Sequence, residues 1–126
     1  MSFKTEYKSV TGLGSAKSGT QHFVSQRLTA IALMVLVPMF LYPFMQALGA
    51  GHAAVLATYQ NPFHALIAIG LLIIGFRHLR LGLQVVIEDY VHGRRMRMNL
   101  LITNALLARA LAVTGAFAVA KIALIA

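Results

Sequence analysis

The chain has no cysteine. That excludes disulfides, thiolate metal sites and any iron–sulfur cluster held by its own residues, so a metal bound here must use other ligands. Charge is nearly as scarce: 11% of the 126 residues are charged, only 3 of them acidic, against 59% hydrophobic. A globule of this size would carry too little polar surface to stay in water. What is present instead is long uncharged stretches, and a helix needs about 20 apolar residues to cross the hydrocarbon of a bilayer. Three such stretches fit into the chain and little is left over. The expected fold is therefore all-α, a single integral membrane domain over residues 1–126 with three transmembrane helices.

The formal net charge of +8 raises the question of nucleic acid. The basic residues are scattered around apolar segments, however, and no RNA-binding or helix-turn-helix pattern accompanies them, so no nucleic-acid partner is expected. Residues 1–24 contain no apolar run ending at a small-residue cleavage site, and the first transmembrane helix is expected to act as its own insertion signal.

Residues 1–23, with the Gly/Ser-rich stretch TGLGSAKSGT, read as an irregular or surface-lying segment. The first helix covers about 24–48, where Leu28 to Leu48 carries no charge and Pro38 and Pro43 should bend it. GAGHAAVLATYQNP follows as a loop or short interfacial element, and Asn61-Pro62 marks the start of a second helix over about 62–91. That helix is apolar to Phe76, broken by Arg77, His78 and Arg80, and apolar again to Ile87. The basic cluster Arg94, Arg95 and Arg97 makes a connection to a third helix at about 99–125, which contains Arg109 and Lys121.

Orientation follows from the basic residues. Lys4, Lys8, Lys17 and Arg27 precede or open the first helix, the arginine cluster lies between the second and third, and the first loop has neither Lys nor Arg. By the positive-inside rule the N-terminus and second loop face the cytoplasm, or the matrix of an organelle. Lys121 lies near the opposite end and can snorkel.

Ionisable groups inside a spanning helix are costly unless they pair, bind a ligand or line water, so Arg77, His78 and Arg80 are candidate site residues. Leu71, Gly75, Gly82, Val85 and Asp89 fall within roughly 60° of His78 around the helix. A porphyrin needs an imidazole nitrogen for its iron and low side chains where the ring approaches, which Gly75 and Gly82 would supply; the same glycines also suit close helix packing with no cofactor. A lone intramembrane histidine equally suits a hydrogen bond to a neighbouring helix. The chain offers no second axial histidine beside His78, so a bis-histidine haem would take its other ligand from a partner. His64 and His78, about 21 Å apart on one face, match the spacing of two-haem four-helix cytochromes. That arrangement needs a second pair, yet His22 and His52 fall outside the apolar spans; His64 is expected at the far interface and His92 near the cytoplasmic one. Asp89 and Tyr90 come about 16 to 18 Å nearer the cytoplasmic surface than His78. A phenol at the edge of the apolar zone can donate to a quinone carbonyl while an acid near water relays protons. It also fits an aromatic belt, with Glu88 and Asp89 as helix-end acids facing Arg94 and Arg95.

The run HLRLGLQVVIEDYVHG, residues 78–93, resembles the small D-type membrane anchor, the cytochrome b556 subunit, of succinate dehydrogenases (respiratory complex II). There a haem-ligating histidine precedes a Gly-x-Gln-Val segment and an Asp-Tyr pair at this distance. Gly19 through Ile31, GTQHFVSQRLTAI, is similar to the start of the first helix in that family, and the GLGSAKSGT lead-in and DYVHG ending look like alphaproteobacterial and mitochondrial versions. The resemblance implies a heterodimeric anchor bundle with a second, C-type cytochrome b subunit and a haem b shared between the two. His78 would be one axial ligand to the haem iron, with Arg27 near a propionate and the quinone pocket. It also implies that Tyr90 donates to the ubiquinone carbonyl and that Asp89 supports proton delivery. FAD and the iron–sulfur clusters would belong only to a flavoprotein subunit and an iron–sulfur subunit. Arg77 and Arg80 are not part of the widespread motif; Arg80, on the cytoplasmic side of His78, is assigned to a haem propionate. Arg94, Arg95 and Arg97 suit docking of the iron–sulfur subunit or of anionic lipid. The location implied is the bacterial inner membrane, ahead of the mitochondrial one. Competing readings are a haem-free structural anchor and a small transporter component using Arg77 and Arg80 for an anion.

Overall fold

The computed structural model describes residues 19–124, and it is all-α. Four helices follow in order: α1 (Gly19–Ala47), α2 (His52–Gln60), α3 (Pro62–Tyr90) and α4 (Arg94–Leu124). Three of them, α1, α3 and α4, are long and apolar enough to cross a membrane.

Two helix starts lie earlier than hydropathy suggests. Residues 19–23, read above as part of an irregular segment, form the first turn of α1, and Arg94, Arg95 and Arg97 sit in the first turn of α4 rather than in a connection. The physical reason is propagation: once an apolar run has nucleated a helix, each polar residue added at its end gains a backbone hydrogen bond at little entropic cost. Gly93 marks the start of α4, its carbonyl accepting from the amide of Arg97 at 2.8 Å. Pro38 and Pro43 are carried inside a continuous α1. In hydrocarbon every remaining backbone group gains from staying in the helix, which outweighs two missing donors.

Gly49 and Gly51 turn the chain from α1 into α2 at φ 78° and 88°, a left-handed backbone that favours glycine. Asn61 caps α3, its side-chain oxygen accepting from the amide of Phe63 at 3.0 Å with Pro62 in the first turn. His64 donates from Nδ1 to the carbonyl of Thr58 at 3.0 Å, tying α3 to α2, and Tyr59 of α2 stacks on Phe40 of α1.

The long helices stand in a row. α3 packs against both α1 and α4, whose backbones make no close approach to each other among the described residues. Along α1 and α3 the register is antiparallel: Leu36 faces Gly70, Leu33 faces Gly75 and Gln26 faces Gly82. Along α3 and α4 Leu72 lies against Gly115, and Asn104 donates to the carbonyl of Arg80 at 3.0 Å. A row of three leaves large apolar side chains pointing outward, among them Met34, Leu66, Val113 and Phe117. Such a surface suits lipid and a further helical partner, not water.

Candidate functional site

His78 lies on the middle helix of the row, toward α1, and is half-buried. Its Nδ1 stands 2.9 Å from the hydroxyl oxygen of Thr29, a residue with 7% of its surface exposed. The same oxygen lies 2.9 Å from the carbonyl of Ser25 and 3.0 Å from that of Gln26, the backbone partners a helical threonine ordinarily reaches. His78 thus makes an interhelical hydrogen bond with one nitrogen, and among the described residues Nδ1 is the ring atom that is engaged. The second nitrogen, Nε2, has the lone-pair and donor chemistry to serve a ligand.

Gly75 and Gly82 both lie against α1, where an added methyl would meet Leu33 at 4.0 Å and the amide of Gln26 at 3.6 Å, both ordinary contacts. Within this chain they suit the packing of α3 on α1.

On the Tyr90 side of His78 a polar cleft of about 500 Å³ runs between α1 and α3, lined by His22, Ser25, Arg77, Arg80, Gln84 and Glu88 among others. Nε2 of His22 is buried there without a partner. Glu88 accepts from Gln84 of its own helix at 2.9 Å, not from the arginines at the start of α4. Arg77 and Arg80 also reach the other flank of α3, where with Arg109 they line a groove of about 440 Å³ against Ala108, Ala112 and Ala116. No carboxylate lines that groove, whereas Glu88 lines the polar cleft that Arg77 and Arg80 also border.

The remaining expected site residues are not gathered around His78. Arg27 is exposed, its guanidinium 5.3 Å over the ring of Phe23, and it lies about 200° around α1 from Thr29. Asp89 and Tyr90 close α3, both exposed, Tyr90 to 78%, about 18 Å along the helix from His78. His64 is engaged at the opposite end, and His52 and His92 are exposed. Among the described residues no three metal-ligating side chains converge. A donor set of one imidazole suits a metal whose other ligands come from a macrocycle and a second chain.

Sequence reasoning passed over Thr29 and His22. Thr29 was visible as a lone hydroxyl in an apolar run, but a threonine in a membrane helix ordinarily satisfies itself on its own backbone. His22 stands before the apolar span, as expected, but the polar lead-in that carries it is helical and turns it into the cleft. A second cavity of about 630 Å³ lies toward the Gly49 end, lined by Phe40, Phe44, Leu71, Val119 and others; the buried hydroxyl of Tyr59 lacks a partner there, and burial raises its pKa above the ordinary 10.0.

Residues 1–120 match the family model described as succinate dehydrogenase/fumarate reductase transmembrane subunit. The chain is similar to the succinate dehydrogenase hydrophobic membrane anchor subunit of Paracoccus denitrificans, with 39% identity over 74% of this chain and 72% of the relative. It is also similar to the protein of that name from Rickettsia bellii, with 32% identity over 79% and 80%. No solved structure matches it significantly.

Proposed function

The chain belongs to the succinate dehydrogenase/fumarate reductase transmembrane subunit family, and from that premise we propose that it is the small anchor of a succinate:quinone oxidoreductase, helping to bind a haem b and to form the ubiquinone-reduction site. Succinate is oxidised on a flavoprotein subunit, an iron–sulfur subunit carries the electrons, and quinone is reduced at the membrane where this chain and a C-type anchor subunit meet. The membrane is the bacterial inner membrane, with the N-terminus and the α3–α4 connection on the cytoplasmic side.

The observation that carries the haem reading is the placing of His78: half-buried on the central helix of three, with Nδ1 held by Thr29 at 2.9 Å. One nitrogen held and the other open to a ligand is the arrangement of a metal-ligating histidine. The haem, when bound, supplies a one-electron carrier within the bilayer. This chain would offer Nε2 of His78 to the iron, and a C-type subunit would supply the second protein ligand. Arg80, and with it Arg77 and His22 around the polar cleft, would hold a propionate. Arg27 is held over Phe23 only by a cation–π contact, worth about 0.5–1 kcal/mol at exposed sites, and can leave it for a propionate or quinone oxygen at the subunit interface. Tyr90 donates to the quinone carbonyl and Asp89 passes protons from water, roles supported by their exposure at the end of α3.

The test is a dithionite-reduced minus oxidised spectrum of the complex purified through this chain. A b-type α-band in the wild type that His78→Ala loses or shifts is the expected result. A wild-type complex with no haem would leave the quinone-site anchor standing and remove the haem role from His78.

A further inference from the structure

Thr29 carries a single hydroxyl proton, and three groups lie within hydrogen-bond distance of its oxygen: the carbonyls of Ser25 and Gln26 at 2.9 and 3.0 Å and Nδ1 of His78 at 2.9 Å. Carbonyls only accept. Were the proton turned toward Nδ1, the lone pairs of the hydroxyl would face two carbonyl oxygens at contact distance, an arrangement with three electron-rich oxygens and no hydrogen among them. With the proton on a carbonyl, a lone pair of the hydroxyl is left for the ring, and Nδ1 must be the donor. The proton of a neutral His78 is then on Nδ1 and the lone pair is on Nε2.

We propose that Thr29 is a positioning residue for the haem ligand: its hydroxyl selects the tautomer of His78 that presents Nε2 to the iron and strengthens that nitrogen as a donor. The proposal rests on the reading of His78 as an axial ligand. Three features give it force. Thr29 is 7% exposed, so water does not compete for its hydroxyl. It stands on a different helix from His78, so the contact fixes the ring against α1 as well as fixing its proton. The chain of histidine N–H to hydroxyl to backbone carbonyl polarises each bond in turn, moving electron density toward Nε2. A better donor nitrogen favours ferric over ferrous iron, so Thr29 holds the midpoint potential of the haem below the value it would have without the contact.

The experiment compares the complex carrying Thr29→Val, Thr29→Ser and His78→Ala with the wild type, reading haem content, midpoint potential and the low-spin ferric electron paramagnetic resonance. Thr29→Val keeps the shape and removes the acceptor; Thr29→Ser keeps the acceptor. The expected result is an upward shift of the potential with a displaced largest g value in Thr29→Val, or loss of haem from it, and a return to wild-type values in Thr29→Ser. Wild-type potential and resonance in Thr29→Val, alongside a haem lost or altered in His78→Ala, would overturn the role of Thr29 and leave the ligand in place. Failure of Thr29→Ser to restore either quantity would mean that shape and not the hydroxyl matters, and would overturn it too. An unaltered haem in His78→Ala would remove the ligand reading and this inference together.

Discussion

Tyr90 ends α3 with its ring outward, 78% exposed, where a phenol can meet a ligand held partly by another chain. For the quinone role the hydroxyl is everything and the ring nothing. Tyr90→Phe should therefore cut succinate:quinone activity severely while succinate oxidation with a soluble artificial acceptor stays near wild type; equal loss of both would point to faulty assembly. Arg80 is a charge argument. It borders the polar cleft beside His22 and Arg77, and a positive charge near a haem favours the reduced iron. Arg80→Leu should lower the midpoint potential or the haem content, measured by redox titration of the purified complex. An unchanged potential and full retention would assign Arg80 to the α4 side alone, where its backbone carbonyl already meets Asn104. His78 shows how two sequence-level readings can both hold, since an imidazole has two nitrogens: the hydrogen bond to a neighbouring helix occupies Nδ1, and the proposed ligand role needs only Nε2.

Among the helices, the contact between α3 and α4 is tight at Gly115, where an added methyl would come within 3.2 Å of Leu72. Overpacking a fitted contact destabilises by about 1–3 kcal/mol. Gly115→Val should accordingly lower the thermal stability of the complex in detergent, while Gly19→Val, with nothing within 4 Å of the site, serves as the comparison and should change it much less. Small residues matter here because lipid gives no hydrophobic reward for bringing two helices together, leaving close packing and polar contacts to do it. Hydropathy located the three spanning helices, but α1 and α4 begin before the apolar runs do. The boundary of an apolar run is where charge begins, whereas a helix stops only where its backbone bonds stop, so Gly19 to Phe23 and the arginines from Arg94 to Arg97 continue helices whose spans begin later. The arginines gain nothing from the positive end of a helix dipole. Their position suits an anionic surface facing them, lipid phosphate or a partner subunit.

As a whole molecule, three helices in a row form no closed bundle, and the outward apolar faces of α1 and α4 leave room for a partner of similar make. The lack of native cysteine gives a clean background for testing orientation. A cysteine introduced by His92→Cys, in the connection before α4, should react with a membrane-impermeant maleimide from the cytoplasmic face only, and one introduced by His52→Cys from the opposite face only. The reverse pattern would invert the assignment and put Tyr90 on the wrong side for the proposed quinone site.

The sequence by itself determined the all-α fold, the number of spanning helices and the helix on which the ionisable groups lie. Those properties are local, because in hydrocarbon each helix must satisfy its own backbone and its run of apolar residues declares it. It also carried the family through the spacing of His78, Asp89 and Tyr90. Only the tertiary structure decided that Thr29 meets His78, that Gly75 and Gly82 face α1, and that Arg77, Arg80 and Arg109 share a groove. The physical reason is that a membrane helix is apolar on nearly every side, so no stripe of hydrophobicity marks which face turns inward. Partners 49 residues apart in the chain are joined by packing and by one hydrogen bond.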